Sequence, residues 1–596
     1  MKPTRAPLLV ALVVLSLCAV PLSAAGVPGA VAPSPMTEAE AEAETGAGAG
    51  AETILNDRTP STTPAATIDH TAVTSVQERP DDPSTEETLG YVEGYWYDDE
   101  LPVDDRDDAV VEDDELEAVV YRSMARVEQL RDLPFEDDVP VEVVSRAEFQ
   151  DGDDELFTDL GTTERLQENV HHEALFMVDR ETDALDAAGT LFDGAVDGYY
   201  HPQTNRVVVV SDSTDEPELD EVILGHELLH ALQDQHFDLT SYSGETIDAR
   251  TAEEGLIEGD AVTVETEYEQ RCQVEWRCLL PADEADPDLP ADFNWGIYFM
   301  VFHPYDDGPD YIDHLREQGG WDAVNAAYDD PPASTAEIIR PGEEREPAAI
   351  DVPDRSSDDW EPLTVGGEPA TETVGEAGMV AMFADGSFEG TQSSVIEEDE
   401  FVDTSLFGEP ELQYDHAYTD GWAGDELVTY VHDNASETDD PTTAAADASY
   451  VWETEWESAE DAQEFADGYL ELLDIHGSER VDDRQDTYEI DDDFPGAYYI
   501  ETDDRTVTIV NAPSVDALEG VVAGAAPAAD ASGDTDGGAE AADLDGADET
   551  GDSAETDDND TADSISGFGL TIAILSLLLA TLVGVGRLGH MRHGRD

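Results

Sequence analysis

The chain predicts an α+β fold in two unequal parts, on three observations. Helical periodicity and short strands alternate from Asp114 to Ile339, the pattern changes to strands around one helix from Val374 to Val521, and a proline- and charge-rich run, Pro341 to Pro369, lies between. Hydrophobic residues make up 40% of the 596 positions, enough for a core in each part. The expected boundaries are a signal peptide at 1–25, an acidic spacer at 26–88, a first domain at 89–345, a smaller α+β subdomain at 346–522, an acidic stalk at 523–563 and a transmembrane or sorting segment at 564–596.

Each element has its own signal. Lys2 and Arg5 precede an apolar run, Leu8 to Val20, and then small residues at Ser23-Ala24-Ala25, the pattern of a secretory signal. From 26 to 88 Ala, Glu, Thr, Pro and Asp dominate, as in a flexible spacer. Periodicity predicts a helix over Asp114–Leu130, a strand over Val139–Val144 and a helix near Thr162–Val178. Gly198 to Val210 reads as two strands joined by a turn from Pro202 to Asn205. Asp215, Pro217 and Glu218 supply an N-cap, an early proline and a capping acid for a helix through about Gln235, and Thr251 to Glu269 is a second helix.

Short helices are expected at Tyr311–Leu315, Trp321–Tyr328 and Thr335–Ile339. The subdomain carries strands at Leu427–Val431, Ala448–Glu455, Ala497–Glu501 and Thr506–Val510 with a helix at Ser458–Leu473, and no chemistry is visible in it. A second acidic stretch from about Ala523 to Asp563 repels itself into an extended stalk. Phe568 to Gly586 is uncharged and apolar, long enough to cross a bilayer, and Arg587, Arg592 and Arg595 follow it, so the bulk of the chain is expected outside the cell.

Acidic residues number 145 against 25 basic ones, a formal charge of −120, and Lys2 is the only lysine. Such self-repulsion is tolerable where molar salt shortens the Debye length to roughly 3 Å. The expectation is a halophilic source, an archaeon, with a calcium-binding acidic surface as the competing explanation. Little cationic charge remains for phosphates, which argues against a nucleic-acid partner. Beyond the signal only Cys272 and Cys278 remain, and in an oxidising compartment a disulfide closing their short loop is expected. Asn434 and Asn559 stand in glycosylation sequons.

The chemistry is concentrated in His226-Glu227-Leu228-Leu229-His230. Residues four apart share a helix face, so His226 and His230 can converge on a Zn2+ ion while Glu227 stands beside it as a base for water. A third protein ligand is required. His236 follows His226 by ten residues, but on a continuous helix it lies about 9 Å beyond His230 and points away. Glu254 and Glu258, both on the downstream helix, are the other candidates.

Two resemblances extend this reading. Glu258-Gly259-Asp260-Ala261 resembles the Glu-Gly-x-Ala of gluzincin peptidases, in which a glutamate from a second helix completes the zinc site and the glycine after it lets the helices approach. His226 to Asp238, Leu256 to Ala261, and Gly319-Gly320-Trp321 through Pro331-Pro332 with Ser334-Thr335 look like a family of exported zinc metallopeptidase-like proteins that includes anchored haloarchaeal surface proteins. The likeness covers about residues 115–345 and, more weakly, Gly421 to Asp425, and Arg340 stands where that pattern has histidine. The two resemblances imply a gluzincin-like first domain with Glu258 as the preferred third ligand and Glu254 the alternative, peptidase activity and a cell-surface location; they name no substrate, and a peptide or protein is expected from the activity. Ser566-Gly567-Phe568 with the apolar segment and basic tail resembles an archaeosortase sorting signal, with serine in place of its proline.

The expected activity is peptide hydrolysis by a zinc-activated water with Glu227 as general base. Tyr200 is a guess for the transition-state donor, and the strand near Val207–Val210 a candidate for pairing with substrate. The alternatives are a non-catalytic surface or adhesion protein with a structural or vestigial zinc site, and a metal-free binding module.

Overall fold

Residues 14–17 and 79–529 are described in a computed structural model, with breaks at 152–159, 193–195, 282–292, 344–346, 389–392, 404–410 and 434–440 and at a few isolated positions. Most of the spacer, the stalk beyond residue 529, the Phe568–Gly586 segment, Asp215, Asn434, Asn559 and most of the expected signal lie outside the described residues, whereas 523–529, expected as the start of the stalk, pack on the second part with Ala525 and Ala526 in its core. Among the described residues no helix is long and apolar enough to cross a membrane.

The architecture is mixed α and β. Helix α1 (Asp113–Arg131) leads to strand β1 (Val141–Ser145), helix α2 (Thr162–Ala174) and the hairpin β2 (Val196–His201) and β3 (Arg206–Ser211). Next come α3 (Glu221–Phe237) and the long α4 (Ile247–Val274), followed by α5 (Trp295–Asp306), α6 (Gly308–Gly319), α7 (Trp321–Ala327) and α8 (Thr335–Ile339). Strand β3 pairs antiparallel with β2 and parallel with β1. It is therefore internal, which corrects the expectation that Val207–Val210 is open to a substrate strand; β2 lies outside it. The backbone of Val14–Leu17 pairs antiparallel along the outer side of β2.

The second part begins with α9 (Gly375–Ala384), buried along its whole length. Strands β4 (Trp422–His432) and β5 (Ala448–Trp456), helix α10 (Ala459–Ile475), and strands β6 (Thr487–Ile490), β7 (Gly496–Asp503) and β8 (Thr506–Ala512) follow. The strands form an antiparallel sheet in the order β4-β5-β8-β7-β6. Alternation along β5 puts Tyr450, Trp452 and Trp456 in one core with Phe465 and Tyr469 of α10, and Val451 in the core on the opposite face.

The two parts share a core. Val170, Phe176, Ile297 and Phe299 from before the expected boundary pack in one cluster with Trp422, Trp452 and Phe465 from after it. Polar contacts reinforce the junction, because Glu372 accepts from the Ile247 amide at 2.6 Å and Thr373 O from the Asp248 amide at 3.1 Å, so the second part caps the start of α4. Arg340 makes a two-pronged pair with buried Glu376, 2.7 Å on each prong, which gives the arginine at that position a bridging role. Asp425 accepts from the Val374 and Gly375 amides and from the Trp422 and Trp452 indoles, so the Gly421–Asp425 stretch is a structural knot.

Candidate metal centre

Asp220 starts α3, its carboxylate accepting from the Val222 and Ile223 amides. The expected cap at Asp215 is thus displaced, because Pro217 and Glu218 instead bridge in extended form to Val110 and Val111. Leu224, Leu228, Leu229 and Leu232 bury α3 in a core with Met124 and Val127 of α1 and with Ala261, Val264 and Tyr268 of α4. Glu221, fully buried, anchors the arrangement through ion pairs with Arg122 and Arg126 and a 2.9 Å bond from the Tyr268 hydroxyl.

The two helices approach tightly at Gly225, where an added Cβ would stand 3.0 Å from the Tyr268 ring. The sequence argument had given this role to Gly259. That glycine instead faces Gly308, whose backbone an added Cβ would meet at 2.4 Å, so it seats α4 against the start of α6.

The packing brings together His226, His230 and Glu258, whose ligand atoms all lie within 4.8 Å of one another. Glu258 Oε2 is 3.3 Å from His226 Nε2 and 3.5 Å from His230 Nε2. Tetrahedral zinc with bonds of about 2.0–2.1 Å sets its ligands roughly 3.3–3.4 Å apart, so the spacing fits the ion. None of the three atoms has a hydrogen-bond partner, although all three residues are buried. The opposite ring nitrogens are engaged: His226 Nδ1 by Glu265 Oε2 and His230 Nδ1 by Gln233 Oε1, both at 2.8 Å. Each imidazole is thereby turned with Nε2 toward the common point. Gln233 is held in turn by the Ile257 carbonyl, the Tyr328 hydroxyl and Asp260, and Asp260 is paired with Arg131.

Glu254 is not part of this group, and His236 turns away to place Nε2 2.7 Å from Pro134 O. Cys272 and Cys278 are joined in a disulfide at the end of α4.

Glu227 is fully buried and neither carboxylate oxygen has a hydrogen-bond partner. It lies under β2, where a Cβ on Gly198 would come within 3.4 Å of its Cγ. Burial pushes its carboxyl up to about 8, with Glu258 and Glu265 adding to the rise and His226 and the nearby Tyr200 amide opposing it. Burial also pushes Glu258 up, but His230 and His226 outweigh it and hold the carboxyl down to about 2.

Tyr200 is excluded as a free donor, since its ring is buried and its hydroxyl donates to Asp234 at 2.7 Å. Tyr305 on α5 takes its place beside the centre. Its hydroxyl bonds Glu258, and burial followed by the charges of Glu258, Glu254 and Glu227 raises its pKa well above the usual phenol. Sequence reasoning missed Tyr305, Glu265 and Gln233. Glu265 follows Glu258 by seven residues, about 20° around the helix, and that spacing was a readable signal.

Residues 361–522 match the family described as Domain of unknown function (DUF8575). No curated protein and no solved structure matches the chain.

Proposed function

We propose that the first part of the chain is a gluzincin-like zinc peptidase, a hydrolase of peptide bonds displayed at the surface of a halophilic cell. The observation that carries this reading is the Glu227 carboxylate, fully buried without a hydrogen-bond partner beside three converging orphan ligand atoms. Burying such a group unpaired costs several kcal/mol, roughly, and a purely structural site has no use for it.

His226 Nε2, His230 Nε2 and Glu258 Oε2 would hold the ion. A zinc ion there supplies Lewis acidity that makes water a nucleophile at neutral pH. Glu227 then receives the proton of the attacking water on its carboxylate and delivers it to the leaving amide nitrogen. The Tyr305 hydroxyl, bonded to Glu258, must turn from that carboxylate to reach the oxyanion that develops on the carbonyl. The outer side of β2 takes an antiparallel strand, Val14–Leu17 of the expected signal, and would offer the same pairing to an extended substrate once that segment has been removed.

Glu227→Gln tests this reading. The variant is expected to retain metal and lose cleavage of a fluorogenic peptide library by more than about 10³-fold, and unchanged turnover would reject the role. The second reading is a surface protein with a structural zinc site. Its supporting observation is burial: His226, Glu227, His230 and Glu258 are at most 4% exposed. Exchange of a hydroxamate onto the metal separates the two, since a closed structural site would not take it.

A further inference from the structure

We infer that Arg131, Asp260 and Tyr328 are positioning residues for the metal centre, acting through Gln233 to fix the ring proton of His230 on Nδ1 and so to present Nε2 with its lone pair to the ion; the inference rests on the zinc reading of the site and deepens it. All four side chains are buried, and none belongs to the ligand cluster itself.

The direction of each hydrogen bond is forced by its partner. Gln233 Nε2 stands 2.9 Å from Ile257 O, 2.9 Å from the Tyr328 hydroxyl and 3.3 Å from Asp260 Oδ2. A carbonyl and a carboxylate can only accept, so this end of the amide is its NH2 end. The Tyr328 hydroxyl donates to Asp260 at 2.9 Å, and with its one proton placed there it too accepts from Gln233. The opposite end of the amide, Oε1, is 2.8 Å from His230 Nδ1. An amide oxygen cannot donate, so the proton in that contact belongs to the imidazole. A neutral ring with its proton on Nδ1 carries its lone pair on Nε2, the atom that faces Glu258 Oε2 at 3.5 Å without a hydrogen-bond partner.

Asp260 is in turn held by Arg131, whose Nε lies 2.8 and 3.0 Å from its two oxygens. Nη1 and Nη2 of Arg131 have no hydrogen-bond partner, and the guanidinium is seated instead on Trp321, 4.4 Å from the ring centroid. Trp321 is tied to the end of α1 by a 3.0 Å bond to the Leu130 carbonyl, so the Gly319-Gly320-Trp321 stretch forms the outer end of a chain that runs inward to His230. Without the Asp260 carboxylate the Tyr328 hydroxyl is free to donate to Gln233, and an amide turned end for end then loses only its bond to Ile257. A turned amide offers NH2 to His230 Nδ1, which moves the ring proton to Nε2 and blocks the metal position.

Two variants of the full-length chain in molar salt test this. Asp260→Asn is the isosteric change. Arg131→Met combined with Asp260→Leu exchanges both charges for apolar volume, which buried ion pairs commonly tolerate, and it decides the matter should the first variant fail to fold. Zinc affinity is read by chelator competition, and the ring N–H protons of His226 and His230 by nitrogen NMR of labelled histidines in the zinc-free and zinc-loaded chain. The parent is expected to show a slowly exchanging Nδ1 proton on both rings. Each variant should keep that of His226, which Glu265 holds, lose that of His230, and bind zinc at least about tenfold more weakly. A purely structural role would lower stability and move neither readout, so either readout unchanged in a folded variant would overturn the inference. Loss of both ring protons together, or a parent without the His230 Nδ1 proton, would overturn it as well. A parent that takes up no zinc, yet keeps the His230 proton and its dependence on Asp260, would instead reject the zinc reading and leave the positioning role standing.

Discussion

Glu265 Oε2 lies 2.8 Å from His226 Nδ1, so a carboxylate two turns beyond Glu258 on α4 fixes the His226 ring on α3. The contact orients the ring and leaves Nε2 for the proposed metal. Glu265→Ala is therefore expected to weaken zinc affinity by about 10–100-fold with little change in secondary structure. Chelator competition measures this, and an unchanged affinity would mean that the contact is incidental.

Gln233 links His230 to Asp260 and Tyr328, all buried. Gln233→Leu keeps the volume but strips a partner from each of four polar groups, His230, the Ile257 carbonyl, Asp260 and Tyr328. A loss of about 1–3 kcal/mol in unfolding free energy, together with weaker zinc binding, is expected from denaturant titration with and without metal. Loss of stability alone would assign Gln233 to the core and not to the metal.

At Gly259 a methyl group would strike the Gly308 backbone at 2.4 Å, and neither partner is a flexible side chain. Gly259→Ala should force α4 from α6, destabilising the fold by about 3 kcal/mol and shifting the adjacent Glu258. A melting temperature within 1–2 °C or so of the parent would show that the helices can yield there.

Asp248 carries a pH dependence. Burial pushes its carboxyl up to about 7 against the Thr335 donors that favour its charge, with Asp425 adding to the rise. A raised carboxyl pKa means that the folded state holds a proton which the unfolded state has released. The contribution is complete below about pH 4 and is lost as pH rises through about 7, on the order of 2–4 kcal/mol. Asp248→Asn, which keeps an acceptor for Thr335, should flatten stability between pH 4 and 8 in molar salt. An unchanged pH profile would place the proton elsewhere.

Much of this arrangement was legible because period and chemistry coincided. Helix α3, the β2–β3 hairpin and the four long strands of the second sheet announced themselves by spacing, and the four-residue phase of the histidines, with the gluzincin resemblance at Glu258, named the cluster that the fold brings together. Helices α5 and α9 went unread because Trp295–Asp306 and Gly375–Ala384 are apolar with little amphipathic contrast, and α5 also contains Pro304. Tyr305 was lost with α5. Glu265 stood out only by its seven-residue spacing from Glu258, a signal easily passed over among 145 acids. The boundary near residue 345 was drawn from a change of pattern, which cannot reveal that Phe299 and Trp452 enter one core.

The most direct test of the central claim is zinc per chain by elemental analysis, on full-length protein purified in molar salt without chelators, beside Glu258→Ala. About one zinc per chain in the parent and a large loss in the variant are predicted. Metal-free parent protein that takes up no added zinc, or a Glu258→Ala variant that holds zinc as well as the parent, would contradict the assignment.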